Sequence, residues 1–363
     1  MRVALVYDRV NKWGGAERVL LALHKLFPKA PLFTSVYHKK NASWADAFDI
    51  KTSFLQNIPF AKERHELFSL LMPSAFESFN FDNYDLVISV SSEAAKGIIT
   101  KPHTKHIAYV LTPTRYLWSG YDFYFSNNAL RKIAKPAVEV LRKWDKSAAK
   151  RPDIMIAISE EVKGRIKKYY GRDSSVIYPP INLTPKIKNQ SSKNKNTDPY
   201  FLVVSRLSKF AKYKRVDLAI EALSELDIPL KIVGVGNLEN DLRKKAGRKV
   251  EFLGHKSDGE LIEYYKNSQA LIFPGIEDFG LVMAEAHKFG KPVIAFAKGG
   301  ALDIIIEGKT GYFFKEQTKE SLIEALKKFD NYKFDSRAIT KQAEKFSFKQ
   351  FEKKFKKVVN KLF

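Results

Sequence analysis

"YFLVVSRLSKFAKYKRVDLAIEALSELDIPLKIVGVG", residues 200–236, contains an apolar run, a loop dense in cations, a helical stretch and a second apolar run ending in Gly-x-Gly. YFLVVS (200–205) and LKIVGVG (230–236) have the length and valine content of buried strands, and a helix begins near Arg215 and Val216. The same alternation extends in both directions. VALVY (3–7), LVISV (86–90), HIAYVL (106–111) and IMIAIS (154–159) lie on one side, ALIFP (270–274) and PVIAF (292–296) on the other. Apolar strands separated by helix-length segments predict parallel sheets in doubly wound α/β domains.

The strands fall into two groups. Between them "NLTPKIKNQSSKNKNTDP" (182–199) is rich in Asn, Ser, Lys and Pro and poor in large apolar residues, which is linker composition. The expected division is an N-terminal domain over 1–182, a linker over 183–199 and a C-terminal domain over 200–345. A chain of 363 residues, 45% hydrophobic and 28% charged, suits two domains that each bury a core. With no cysteine, disulfides, thiolate metal sites and cysteine nucleophiles are excluded. The seven histidines include no metal-ligating spacing, so no metal is expected. MRVALVYD is a first strand interrupted by Arg2 and Asp8 and has no signal-peptide pattern, which predicts a cytoplasmic chain.

The formal charge of +23 calls for a polyanionic partner: nucleic acid, anionic lipid or a phosphorylated substrate. Two stretches are densest, 130–152 and the C-terminal 345–363. In the latter Phe346, Phe348, Phe351, Phe355, Val358, Val359 and Leu362 recur at helical intervals among lysines. Both fit a helix packed on a domain with a solvated basic face, or a membrane-surface helix. No nucleic-acid reader motif is present, and aromatics do not interleave with the charges as a stacking platform, so nucleic acid is not expected.

In open α/β sheets ligands bind beyond the carboxyl ends of the strands, and four loops there carry candidate chemistry. After the first strand, Gly14 and Gly15 permit close backbone approach at a helix start that favours an anion, with Trp13 beside them; a plain turn is the alternative. After YFLVVS, Arg206 and Lys214 frame a helix N-terminus where a diphosphate can bind, though a solvated basic loop has the same composition. The GVG turn, with Gly236, either passes a nucleotide or simply turns. In "FPGIEDFGLVMAEAHKFGKPVIAF" (273–296), Gly280, Leu281 and Val282 open a helix whose free amides can accept a phosphate. Glu285, four residues after Leu281 and on the same face, lies one turn below, at a distance suited to a ribose hydroxyl pair. Glu277 reaches from the preceding loop toward a sugar. The alternative for both is an ordinary helix-start acid and an ordinary helix glutamate. Arg115, Tyr116 and Trp118 follow a strand and either face an acceptor or pack.

The spacing E-x7-E in "EDFGLVMAEAHKFGKPVIA", followed by "GGALDIIIEGKTGYFF", resembles the signature of the retaining glycosyltransferases of family 4. "GGAER", "RPDIMIAISEEVKGRIKKYYG", "VIYPPIN", "VVSRLSKFAKYKRVDLAI" and "FLGHKSDGEL" are similar to successive segments of that family and cover most of the chain. The resemblance implies the GT-B fold: two Rossmann-like doubly wound domains facing a central cleft, with the C-terminal helix, about 346–363, crossing back to the first domain. It implies a nucleotide-sugar donor and no cofactor or metal. Arg206 and Lys214 would then meet the diphosphate, Glu285 the ribose and Glu277 the hexose, with Gly14, Gly15, Gly236, His255, Phe279, Gly280, Leu281 and Val282 along the donor. By itself His255, like His287, has no partner legible in the sequence.

"HIAYVLTPTRYLW" is similar to the O-antigen mannosyltransferase subgroup, implying GDP-mannose as donor and a glycan or lipid-linked acceptor at an anionic membrane surface. The chain departs from the family pattern twice. Leu111 stands where many relatives carry a sugar-contacting histidine, and His106 is five residues too early. The stretch from Arg206 to Lys214 is long, so Lys209 and Lys212 compete for the phosphate. Leu111 also motivates a second reading, a GT-B relative that binds a nucleotide sugar or a membrane surface without turnover.

Overall fold

In the computed structural model, which describes residues 1–181, 183, 199–330 and 332–363, the chain divides into two compact units. One comprises Met1–Pro180 with Phe351–Phe363, the other Ile181–Gln350. Of the segment 183–199 read as a linker, residues 184–198 lie outside the described residues.

The first unit is built on a sheet of seven parallel strands. They are β1 (Val3–Tyr7), β2 (Leu32–Thr34), β3 (Ile50–Thr52), β4 (Leu86–Ser91), β5 (Lys105–Val110), β6 (Ile154–Ala157) and β7 (Ser175–Val176), in the order β3-β2-β1-β4-β5-β6-β7. β1 and β4 are buried on both faces, which is why they are legible as continuous apolar runs. The order reverses between β1 and β4, and this switch point aims their C-terminal loops at one place.

The second unit repeats the plan with six parallel strands: β8 (Phe201–Val204), β9 (Leu230–Val233), β10 (Val250–Gly254), β11 (Leu271–Phe273), β12 (Val293–Phe296) and β13 (Gly311–Phe314). Their order is β10-β9-β8-β11-β12-β13. The helix Val216–Glu225 makes the crossover from β8 to β9, burying Val216, Leu218, Ala219, Ile220, Ala222 and Leu223. Here the switch point falls between β8 and β11.

The last helix, Phe348–Val359, buries Phe351, Phe355 and Val359 at i, i+4 and i+8. Phe355 meets Phe27 edge-on at 6.4 Å and Phe351 meets Tyr109 at 6.1 Å, so its apolar stripe is seated on the first unit. Phe346 does not belong to this stripe. A short turn, Glu344–Phe346, precedes the helix, and the Phe346 ring is buried in the second unit against Phe279 at 5.4 Å.

Two histidines on regular elements are core residues. His106, on β5, shares a 2.8 Å hydrogen bond between Nε2 and the Ser89 hydroxyl, and burial with Arg151 and Arg172 nearby lowers its pKa to about 3. That position inside the sheet rules it out as a replacement for the histidine missing at Leu111. His287, in the helix Leu281–Lys288, faces the Thr310 carbonyl at 3.0 Å, and burial lowers its pKa to about 4. The unfolded chain takes up this proton below about 6.5 while the folded chain refuses it until about 4. Stability contributed by the neutral ring is therefore lost as pH falls through that window, at about 1.4 kcal/mol per pH unit. Urea midpoints between pH 7 and 5 should show this slope in the second unit, and His287→Gln should flatten it.

Candidate functional site

Beyond the carboxyl ends of β8 and β11 the second unit brings together most of the donor-side residues named from the sequence. The loop after β8 carries Arg206, exposed, and Lys209, also exposed, before a short 3-10 turn, Lys209–Lys214. The Lys212 side chain, the other candidate, lies outside the described residues. Arg215 caps the next helix in a left-handed conformation at φ 49°, a strained position for a residue with a Cβ, and its guanidinium is held by Asp217 at 3.1 Å. Lys214, just before it, forms an ion pair with Glu277 from the loop after β11.

The Lys214–Glu277 pair joins two residues that the sequence assigned separately. Their side chains retain only 13% and 22% of their exposure, so the charges are partly withdrawn from water and attract more strongly than a surface pair. An ammonium has three N–H donors and a carboxylate about four acceptor positions. Each can hold the other and still meet a ligand: Lys214 an anionic oxygen, Glu277 a hydroxyl.

The helix Leu281–Lys288 starts beside them. Its N-cap, Gly280, sits at φ 87° and offers no side-chain cap, so the first-turn amides at Leu281 and Val282 are not closed by a capping hydroxyl or carboxylate. One turn on, Glu285 is 2% exposed and accepts a 3.0 Å hydrogen bond from the Tyr265 hydroxyl. Tyr265 is itself held by stacking on Phe289 at 5.7 Å. This tyrosine went unnoticed in the sequence because it lies twenty residues away on another helix, Asp258–Asn267. Phe279 is a packing residue, its ring buried against Phe346. His255 is exposed directly after β10.

Glycines lock these loops backbone against backbone. A Cβ on Gly234 would overlap the Ser205 carbonyl, and one on Gly236 the Leu207 carbonyl, so close contact with the β8 loop requires glycine at both positions of the GVG turn. Leu207 and Val235, Leu238 and Leu207 are joined by backbone hydrogen bonds of 3.0 and 2.8 Å, and the Lys209 amide donates to Asn237 at 2.8 Å. Gly275 faces the Lys214 backbone. The Gly300 amide donates to the Glu277 carbonyl at 2.9 Å, and Gly299 and Gly300 pack on the 277–279 backbone. Gly300→Ala is expected to destabilise the second unit by about 1–3 kcal/mol, because the carbonyl it strikes is not a side chain that can rotate away. Urea unfolding measures it; an unchanged midpoint would show that the loop yields.

The first unit has its own cluster at the β1–β4 switch point. Asp8 accepts from the Ser92 amide (2.6 Å), the Ser92 hydroxyl (3.0 Å), the Glu93 amide (3.0 Å) and the Ala95 amide (2.8 Å), yet burial holds its pKa above the usual carboxylate range. Arg9 pairs with Glu93 at 2.6 Å. The Tyr7 hydroxyl donates to Glu17 at 2.8 Å, and burial raises the Glu17 carboxyl. Glu17 belongs to the first turn of the helix Gly15–Leu26, and its carboxylate borders Gly14. The GG turn therefore has an acid of its own chain at the helix start. Asp8 directly follows the first strand and could have been found by the rule that placed the other loops.

Of the acceptor-side candidates, Trp13 is 44% exposed, tilted against Trp44 at 6.3 Å. Arg115 and Tyr116 are half-buried, Tyr116 against the cluster of Leu117, Val138 and Leu141. Trp118 stacks on Tyr169 at 5.2 Å and donates to Asp145 at 2.7 Å, the bonding of a packing residue. Leu111 is half-buried at the end of β5.

Residues 185–346 match the family model described as glycosyl transferases group 1. The uncharacterized glycosyltransferase MJ1178 of Methanocaldococcus jannaschii is 28% identical over 57% of this chain, and the match spans 58% of its own length, under two thirds. The alpha-1,3/1,6-mannosyltransferase ALG2 of Dictyostelium discoideum is 23% identical over 78% of this chain and 77% of its own. Among solved structures, Anabaena HepE in complex with UDP-glucose superposes with a TM-score of 0.70 over 99% of this chain and 100% of its own, at 19% identity. The chain thus has the GT-B fold, and residues 185–346 are similar to the glycosyl transferases group 1 family.

Proposed function

We propose that the chain is a retaining hexosyltransferase that moves a sugar from a nucleoside-diphosphate donor to a glycan or lipid-linked acceptor in surface polysaccharide synthesis. The observation that carries the reading is the Lys214–Glu277 pair at the β8–β11 switch point, beside the uncapped start of the helix Leu281–Lys288. Lys214, Arg206 and the helix amides meet the diphosphate, Glu285 the ribose, and Glu277 the sugar hydroxyls. In the reaction the bond from C1 to the leaving phosphate oxygen breaks and the acceptor oxygen bonds C1 on the same face. The acceptor proton passes to the leaving phosphate. Charge developing on that phosphate is met by Lys214, Arg206 and the amides, fixed donors that need no reorganisation. On this reading turnover is metal-independent and unaffected by EDTA.

GDP-mannose is the favoured donor, supported by the resemblance to O-antigen mannosyltransferases and by the likeness to ALG2. UDP-glucose is the alternative that HepE raises. The acceptor's lipid anchor places the enzyme peripherally at the cytoplasmic membrane face. Hydrolysis and binding of a panel containing GDP-mannose, UDP-glucose and UDP-N-acetylglucosamine test the reading, with Arg206→Ala and Glu277→Ala beside the wild type. Turnover of one donor that both substitutions abolish supports it. Binding without turnover favours the second reading, a binding protein motivated by Leu111, and no binding at millimolar concentration overturns the site.

A further inference from the structure

We infer that the helix Asn128–Ala148 of the first unit, with the turn Tyr121–Tyr124 before it, is a docking face for an anionic lipid bilayer. Its first ten residues include no buried side chain, and Val138, Leu141, Asp145 and Ala148 fix only its second half to the unit. Ile133 is 78% and Val140 62% exposed; seven residues apart, they share one face, with Pro136 between them. Leu130 and Phe123 are also exposed nearby in sequence.

Lys132 and Lys143, eleven residues apart, return to nearly the same azimuth and border that apolar stripe; Lys135 lies further round. All three are exposed, and no carboxylate pairs with them among the described residues. Of the helix's other cations, Arg131 is held by Asp122, Arg142 by the Leu117 carbonyl, and Lys146 lies over the Trp118 ring at 5.4 Å. Within the helix the one exposed acid is Glu139, since Asp145 is buried on Lys96, and in the preceding turn the exposed Asp122 is paired with Arg131. An apolar stripe bordered by unpaired lysines fits the boundary between headgroups and acyl chains, where the side chains of the stripe enter and the ammonium groups meet phosphates.

Charge selects this face over another exposed apolar stretch of the first unit. Phe60 and Leu67 are 73% and 71% exposed, but Glu63 and Glu66 there offset Lys62 and Arg64. The inference shares with the transferase reading only the acceptor's lipid anchor. Vesicle binding requires no donor, so either can fail alone.

The test is cosedimentation of the full chain with phosphatidylcholine vesicles with and without phosphatidylglycerol. Binding is expected only with the anionic lipid. Lys132→Ala and Lys143→Ala should each weaken it roughly fivefold at low salt, and Ile133→Asp with Val140→Asp by about tenfold or more. These positions are exposed, so the thermal midpoint of each variant should match the wild type and serve as the folding control. Absence of binding to anionic vesicles overturns the inference. So does binding that survives Ile133→Asp with Val140→Asp, or binding that a DNA duplex of equal charge removes as readily from that variant as from the wild type.

Discussion

Lys214→Ala and Glu277→Ala are each expected to lower donor turnover by about 10²–10³-fold, the cost of removing one preorganised charge from a transition state. The two losses have different origins. On the proposed transferase reading, the leaving phosphate without Lys214 loses a cation 13% exposed and already oriented by Glu277. Without Glu277 the sugar loses a hydroxyl partner and Lys214 loses its anchor. Because the groups touch, the double variant should fall well short of the product of the single effects. Glu277→Gln separates the roles. It keeps the shape and one acceptor while removing the counter-charge, so affinity for the free nucleoside diphosphate should hold or rise while kcat falls. Steady-state kinetics with calorimetry of diphosphate binding gives both quantities. Unchanged kcat in Glu277→Gln would reduce Glu277 to a counter-ion.

Asp145→Ala should be the most damaging single substitution in the first unit. The carboxylate is fully buried and accepts from Lys96 at 2.5 Å, Thr114 at 3.1 Å, Trp118 at 2.7 Å and Tyr170 at 2.8 Å. It thereby ties the long helix Asn128–Ala148 to three other segments. Alanine leaves the Lys96 ammonium, 1% exposed, without its counter-charge, at a cost of about 3–5 kcal/mol. For a unit of this size that lowers the thermal midpoint on the order of 10 °C. Lys96→Met with Asp145→Leu should recover much of the loss, since no buried charge then remains. A fall below about 1 kcal/mol in Asp145→Ala would mean that water reaches Lys96.

What the sequence made legible follows from burial. β1, β4, β5, β6, β8, β9, β11 and β12 are core strands, and each stood out as an apolar run. β2, β3 and β7 have three, three and two residues, too few for any period to show, and β10 and β13 are sheet edges with half-exposed side chains. The site divides in the same way. Arg206, Lys214, Glu277 and Glu285 lie on loops or helix starts next to readable strands. Tyr265, Asp145 and Lys96 act through partners twenty to forty-nine residues distant, which no local pattern links. Phe346 was assigned to the wrong neighbour because helical spacing continues through the turn Glu344–Phe346 that separates it from the last helix. Gly236 has a packing reason that the sequence does not reveal, since a Cβ there would strike the Leu207 carbonyl.

The glycine contacts that lock the second unit's loops have an evolutionary consequence. Ser205 to Leu207 is set by Gly234 and Gly236, Lys214 by Gly275, and Glu277 to Phe279 by Gly299 and Gly300, all through main-chain atoms. The frame thus does not depend on which side chains project from it. A lineage can exchange the side chains of Leu281 or Val282, which contribute only backbone amides, and try a new donor while inheriting the same loop geometry. Drift should therefore be fast at the projecting positions and nearly frozen at the glycines, and divergence in sugar choice can proceed through single substitutions without passing through a misfolded intermediate.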